Sequence, residues 1–402
     1  MPVEVRVCGP DEVGAALTPI WHYFGRTAHE EDVERIRRIL PAERLHAAYL
    51  DGSIVGGAGA YALELTVPGP RLLSAAGVMA VGVLPTHRRR GILNELTRVQ
   101  LEAVRTRGEP LAVLFASEGA IYRRFGYGVA SLAGDIDLAR EHAAFRGPAE
   151  CAAARLVTHE EALDVFPAVY DRVQADTPGM FVRSRDWWEI RRLTPRPWMR
   201  AGEVMCVLIE LDGAPAAYAI YRIEPSIEHG VSKGVVEVVE AMGATPAATR
   251  HIWAYLLSID FIERIRAYLL PPDHPLFLLL VEPRRMCFTM GEALWVRLVD
   301  VGEALSARGY SAPGELVVFS VRDEFCPWNE GNWRVSRGIA ERTKAEADLA
   351  LDIADLGSVY LGGFTFADLG AAGRVEELRE GAIARADALF RTDRRPWCPE
   401  IF

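Results

Sequence analysis

Apolar and polar positions alternate along this chain with two different periods. Gly77-Val78-Met79-Ala80-Val81-Gly82-Val83-Leu84 is an unbroken apolar run that Pro85 ends, the length and texture of a buried strand. From Ile92 the period changes. Ile92, Leu93, Leu96, Val99, Ala103 and Val104 recur at helical spacing, with Asn94, Glu95, Arg98 and Glu102 on the opposite side, so residues 92–106 read as an amphipathic helix. Leu111–Phe115 is a second apolar strand, followed by "ASEGAIYRRFGYGVAS". Between the first strand and the helix stands Pro85-Thr86-His87-Arg88-Arg89-Arg90-Gly91.

The same layout occurs twice. "AAYLDGSIVGGAGAY" and "VLIELDGAPAAYAIY" each place Asp-Gly (Asp51-Gly52 and Asp212-Gly213) between apolar strands, a hairpin signal. Each is followed by a further strand–turn–helix: "GVMAVGVLPTHRRRGILNEL" in the first case and "GVVEVVEAMGATPAATRHIWAYLL" in the second. The second turn, Gly243–Thr249, has no arginine triplet, so the pattern describes a duplicated scaffold with one copy stripped of its cations. The last third differs. "ALWVRLVDVGEALSARGY" gives a strand and a helix, and "GELVVFSVRDEFCPWNEGNWRVS", "ADLALDIADLGSVYLGG" and "TFADLGAAGRV" give short strands, glycine turns and helices, an α+β pattern. Trp328 and Trp333 read as core side chains there.

Composition narrows the class. A chain of 402 residues exceeds one core, so two or three domains are expected. Apolar residues at 50% and charged ones at 25% make an ordinary soluble balance. A net charge of −10 argues against general nucleic-acid binding and suits cationic small substrates. Met1–Val5 alternates like a strand rather than a leader, and the longest apolar run, near Pro275–Val281, is too short to span a membrane; a cytoplasmic protein is expected. The six cysteines have no metal-type spacing, which points to reduced thiols and no bound metal.

The chemistry concentrates at residues 88–91. A helix N-terminus presents free N–H groups and the positive end of the helix dipole, an anion site. Three guanidinium groups added there are unfavourable for the empty helix and favourable for a polyanion, and Gly91 lets a ligand approach the backbone. A solvated basic turn is the alternative. Neither GxxxxGK[ST] nor GxGxxG is present. The segment instead resembles the pyrophosphate loop of GCN5-related N-acetyltransferases, [QR]-x-x-G-x-[GA], with Arg88, Arg89, Arg90 and Gly91 fitting the first part and Leu93 standing where a small residue is usual. "YRRFGY" resembles the short tyrosine-bearing helix that closes such a domain. Together, "VLPTHRRRGIL" and "ASEGAIYRRFGYG" are similar to the Eis (enhanced intracellular survival) family, acetyltransferases that modify aminoglycosides and other amines.

That resemblance implies an α/β (α+β) architecture of two tandem GCN5-related acetyltransferase folds and a sterol-carrier-like α+β domain, divided near 1–148, 149–290 and 291–402, with the middle one degenerate. It implies acetyl-CoA as co-substrate, held by Val81, Gly82 and Val83 along the pantetheine arm, by Arg88, Arg89, Arg90, Gly91, Ile92, Leu93 and Asn94 at the pyrophosphate, and by Ser117 and Glu118. It implies Tyr122 as proton donor to the departing thiolate, and the C-terminal carboxylate of Phe402 as acceptor of the amine proton. A phenol of pKa about 10 is close enough to a thiol at about 8.5 for such donation, whereas an α-carboxylate near about 3.5 needs burial to act as a base. Tyr127 fits packing better, and His87, among arginines, fits a structural role. Phe115 departs from the family, where a histidine is frequent. Glu400 is a second acidic candidate, as an attractor of cationic amines. A homo-oligomer, a hexamer by resemblance, is expected. The leading expectation is acetyl transfer to a primary amine, with aminoglycosides and other polycationic amines as the acceptor class, by direct attack in a ternary complex, since no cysteine sits in the motifs. A lysine or polyamine acceptor, or a non-catalytic ligand-binding protein, are the alternatives.

Overall fold

Strand runs rich in Ala, Val and Leu build two large sheets, each with helices packed on it. The computed structural model describes residues 3–27, 29–147, 152–194, 202–312 and 314–402. These fall into two units, Met1–Ser131 with Ala293–Pro396 and Ile401–Phe402, and Leu132–Glu292 with Trp397–Glu400. The expected division at 148/149 lies outside the described residues.

In the first unit, β1 (Glu4–Val7), β2 (Leu45–Leu50), β3 (Ser53–Val67), β4 (Arg71–Val83), β5 (Leu111–Phe115) and β6 (Gly128–Val129) share a sheet with a late strand, Leu294–Leu298, which lies between β5 and β6. Its helices are α1 (Val13–Tyr23), α2 (Glu30–Arg37), α3 (Ile92–Thr106) and α4 (Gly119–Tyr122). The β2–β3 hairpin turns through Asp51 and Gly52, both at positive φ (52° and 77°), as a two-residue turn of this hand requires. Helix α1 lies so close to the sheet that a Cβ on Gly57 would sit 1.9 Å from the Ala16 carbonyl oxygen. Strand β4 is the element that makes a site possible. It runs parallel to β5 only over Ala75–Gly77 against Leu111–Val113. Its register against β3 then slips between Gly57 and Gly59, and opposite that slip Ala80 stands at φ 53°. This bulge bends the strand, and Val78–Val83 leave β5 behind.

The second unit repeats the plan. Strands β7 (Leu132–Ala139), β8 (Ala154–Val157), β9 (Met205–Leu211), β10 (Ala214–Glu224), the small ribbon β11 (Ile227–Glu228) and β12 (Val231–Ser232), then β13 (Val235–Gly243), β14 (Arg264–Leu270) and β15 (Thr289–Glu292) are joined by α5 (His159–Gln174), α6 (Arg185–Trp187), α7 (Pro246–Ser258) and α8 (Leu276–Leu279). The large sheet has the order β15-β7-β14-β13-β10-β9-β8. Its β9–β10 hairpin turns through Asp212 and Gly213 at φ 52° and 74°, matching Asp51-Gly52. Strands β13 and β14 are parallel over Val235–Val238 and Arg264–Ala267, as β4 and β5 are in the first sheet. Two helix starts then diverge. In α7, Thr245 caps the first turn, its hydroxyl accepting from the Ala248 N–H, which satisfies a group that an anion would otherwise use.

The remaining elements belong to the first unit: β16 (Leu294–Leu298, the late strand above), α9 (Val301–Ala307), β17 (Leu316–Arg322), β18 (Gly331–Ser336), β19 (Ile339–Arg342), β20 (Leu349–Asp352), α10 (Ile353–Tyr360), α11 (Phe366–Ala371), β21 (Val375–Glu377) and α12 (Ala382–Phe390). Strands β17–β21 form a sheet in the order β19-β18-β17-β20-β21. Trp333 is 7% exposed and donates its indole N–H to the Asn329 carbonyl oxygen, and half-buried Trp328 donates to that of Val299, so both are packing residues.

Candidate active site

The divergence of β4 from β5 opens a cavity of about 650 Å³ in the first unit. Its walls are Val81, Gly82 and Val83 of β4, His87, Arg88 and Arg89 of the turn, Gly91, Ile92, Leu93 and Asn94 at the start of α3, Ser117 and Glu118 after β5, and Ile121, Tyr122 and Arg124 around α4. Nearly all the residues expected at the cofactor therefore meet around one space. Arg90 is exposed on the same turn and is not among the lining residues, and neither is Phe402.

The chemistry of the walls follows from the local structure. Beyond Gly77 the side of β4 that faced β5 is left open, so an extended, amide-bearing chain can pair with Val81–Val83 as an added strand. The residue before Ile92 is Gly91, at φ 79°, which offers no side-chain cap to α3, so the first N–H groups of that helix point to the cavity mouth. A Cβ added to Gly91 would meet nothing within 4 Å, which marks open space at the helix start. Arg89 is itself at φ 63°, a conformation few non-glycine residues adopt. Arg98, one turn into α3, is paired with Glu95 and Glu102. Arg88, Arg89 and Arg90 are exposed and have no carboxylate partner among the described residues. An uncapped helix, unpaired guanidinium groups and an open strand edge fit a diphosphate on an amide-containing arm.

Tyr122 ends α4 with its ring half-buried. Burial, reinforced by the charge of Glu118, pushes its hydroxyl up to about 12. Its ring meets Tyr127 edge to face, with centroids 6.0 Å apart. Tyr127 is 1% exposed and does not line the cavity, consistent with a packing residue, and burial pushes its hydroxyl upward too. The His87 ring sits with Nδ1 2.8 Å from the Thr86 hydroxyl. The Phe402 ring lies 5.9 Å from that of Phe115, at the end of β5, and 6.3 Å from that of Tyr61, in the middle of β3, both edge to face. Phe115 thus supports the last residue.

Glu400 is elsewhere engaged. In the second unit it is fully buried, with Arg183 Nη2 at 2.7 Å, Arg192 Nη2 at 2.8 Å and the Trp187 indole N–H at 3.0 Å. Its charge is neutralised there, so the sequence's second acidic candidate does not present an open anion. Residues that the sequence did not suggest also line the cavity: Ile20 and Tyr23 of α1, Phe24 just after it, and Arg124. The Tyr23 hydroxyl donates to the Val83 carbonyl oxygen at 2.9 Å, and Arg88 lies over its ring at 5.7 Å. The adjacent aromatics Tyr23 and Phe24, where the mostly apolar stretch from Val13 ends, were the available signal.

A bulged β4 diverging from β5, with an uncapped basic helix start beside it, defines an acetyltransferase of the GCN5-related (GNAT) fold. Family models agree: acetyltransferase (GNAT) domains match residues 4–130 and 179–298, and a sterol carrier protein domain matches residues 301–399. An N-acetyltransferase of Streptomyces avermitilis is 39% identical over the full length of both chains. The N-acetyltransferase Eis of Mycobacterium tuberculosis is 33% identical, covering 85% of this chain and 84% of its own. Eis1 from Mycobacterium abscessus superposes with a TM-score of 0.86 at 33% identity over both whole chains. The chain belongs to the Eis family of N-acetyltransferases. It is an acetyltransferase enzyme with two acetyltransferase folds followed by a sterol-carrier-like domain, and enzymes of the GNAT class use acetyl-CoA. Among the described residues no helix is long and apolar enough to cross a membrane, and no group of three or more His, Cys, Asp or Glu side chains could hold a metal.

Proposed function

We propose that this enzyme transfers the acetyl group of acetyl-CoA to a primary amine on a small polycationic molecule, of which aminoglycosides are one class, by direct attack within a ternary complex. The observation that carries this reading is the convergence on one cavity of an uncapped α3 N-terminus, unpaired Arg88 and Arg89, the open edge of β4 and the Tyr122 hydroxyl. Val81–Val83 hold the pantetheine arm, Arg88–Asn94 the diphosphate, with Arg90 supplying long-range attraction, and Ser117 and Glu118 flank the thioester. The reaction forms a C–N bond and breaks a C–S bond. Tyr122 gives its proton to the departing sulfur, and the Phe402 carboxylate takes the proton that the amine sheds. The cavity lining includes no cysteine, which supports direct transfer without an acetylated enzyme. A net charge of −10 favours a cationic acceptor.

In this reading the three domains fall at 1–148, 149–290 and 291–402, and the enzyme works in the cytoplasm as a homo-oligomer, a hexamer by analogy with the family. Light scattering checks the assembly. The decisive experiment is a thiol-release screen across aminoglycosides, polyamines and lysine peptides, followed by location of the modified nitrogen. Turnover with none of these amines would overturn the proposal, and turnover confined to lysine peptides would change the acceptor.

A further inference from the structure

Tyr122 sits at the end of a single helical turn, and one isolated turn does not hold its own geometry. Besides Tyr127, which packs on its ring, residues beyond 293 hold it. Phe125, three residues on, packs edge to face on Phe325, with ring centroids 4.9 Å apart. Gly126, at φ 82°, is pressed so closely that a Cβ there would fall 1.8 Å from Arg297 Nη1 and 2.9 Å from Ile353 Cγ2. Arg123, next to Tyr122, donates from Nη2 to both carboxylate oxygens of Asp355, each at 2.9 Å.

Asp355 is well placed as an anchor. It lies on α10, is 2% exposed, and takes a second cation, Arg374, at 3.4 Å. Helix α10 is itself wedged against the first sheet: a Cβ on Gly357 would sit 2.3 Å from the Val296 carbonyl oxygen of β16. The Arg123 side chain is 37% exposed. A carboxylate buried against a partly exposed arginine contributes little net stability, because desolvation offsets the attraction. A fixed position for the arginine, and for the turn it belongs to, is what the pair does supply.

We infer that Asp355, acting through Arg123, is a positioning residue that sets where the Tyr122 hydroxyl stands in the cavity, so that the sterol-carrier-like segment builds part of the catalytic site. The inference rests on Tyr122 being the proton donor. It assigns that segment a role in the chemistry, independent of any ligand it binds.

The test uses the full-length enzyme with Arg123→Gln, Asp355→Asn and the double variant, with Tyr122→Phe alongside. Circular dichroism and melting temperature establish that each is folded. Arg123→Gln is the milder change, since Asp355 keeps Arg374. A displacement on the order of 1 Å at the donor lowers kcat by about 10- to 100-fold. The Michaelis constant for acetyl-CoA stays within about twofold, because Arg88, Arg89 and β4 are untouched. The double variant is no worse than the worse single one, since both remove the same link. Asp348→Asn is the control: this buried carboxylate of the same segment pairs with Arg379 and Arg385, away from the tyrosine turn, and its loss lowers the melting temperature with kcat retained. Folded Arg123→Gln with kcat within about twofold of wild type, while Tyr122→Phe has lost turnover, overturns the positioning role alone. So do additive losses in the double variant. Retained turnover in Tyr122→Phe overturns the donor assignment and the positioning role with it.

Discussion

Replacing Tyr122 with phenylalanine tests the proton-donor role, and the structure sets the size and the pH dependence of the effect. Burial first, and Glu118 second, raise the hydroxyl to about 12. A departing thiol has a reference value of about 8.5, so complete transfer to a free thiolate is uphill by about 3.5 units, or roughly 5 kcal/mol. Burial raises the sulfur's value as well and narrows that gap. On the proposed mechanism the phenol therefore acts first as a hydrogen-bond donor to charge developing on sulfur, and the proton crosses as the C–S bond opens. Removing one such donor costs about 2.7–4 kcal/mol, a fall of about 100- to 1000-fold in kcat, with little change in the Michaelis constant for acetyl-CoA. The raised value also fixes the sign of the pH dependence. The group must be protonated to donate, and a raised pKa keeps it protonated to higher pH. Turnover measured by thiol release then shows no alkaline loss from Tyr122 up to about pH 10, where an unperturbed phenol is already half ionised. A wild-type loss centred near pH 9–10 that disappears in Tyr122→Phe would refute the burial argument. A variant within about threefold of wild type would refute the role itself.

Changing Arg88 and Arg89 together to alanine should abolish the rise in melting temperature that acetyl-CoA gives the wild type, a rise of about 2.7 kcal/mol equivalent at 100 times the dissociation constant; an undiminished shift places the diphosphate elsewhere. Adding a short peptide after Phe402 should lower kcat at least about tenfold, because it replaces the carboxylate by an amide, and full activity in the tagged enzyme removes the carboxylate from the mechanism. Glu400→Gln leaves Arg183 and Arg192 sharing Glu240 alone, which should destabilise the protein by about 3–5 kcal/mol and lower its melting temperature by about 10 °C. Burial by itself would push the Glu240 carboxyl up, but Arg183 and Arg192 hold it down at about 2. A depressed carboxylate stabilises above its unfolded value and loses that contribution as pH falls toward the folded one, so wild-type melting temperature should drop between about pH 4.5 and about pH 2; an acid-insensitive melting profile would contradict this.

The residues proposed for the cofactor and for proton donation were legible because they lie close together in sequence. Arg88–Gly91 between a strand and an amphipathic helix, and Tyr122 in its own short motif, carry their meaning locally. The duplicated Asp-Gly hairpins were legible for the same reason, since two positive φ angles demand such residues. The bulge at Ala80 left no mark, because an alanine in the left-handed region reads as an ordinary strand residue. Tyr23, which donates to Val83, and Asp355, which accepts from Arg123, make contacts distant in sequence, which periodicity does not encode. The pattern identified Leu294–Leu298 as a strand, but apolar alternation is indifferent to which sheet a strand joins. Nothing in "PEIF" distinguishes a buried glutamate from an exposed one.

The placement of β16 has a consequence for biosynthesis. Strand β6 pairs with β16, and the ribosome makes every strand of the second sheet between the two. The first sheet therefore stays unfinished, with the far side of β5 bare, while its neighbour is already being completed. Translation order and assembly order differ in this enzyme, and a nascent chain released before residue 298 carries the arginine turn and the tyrosine on a platform that has not closed.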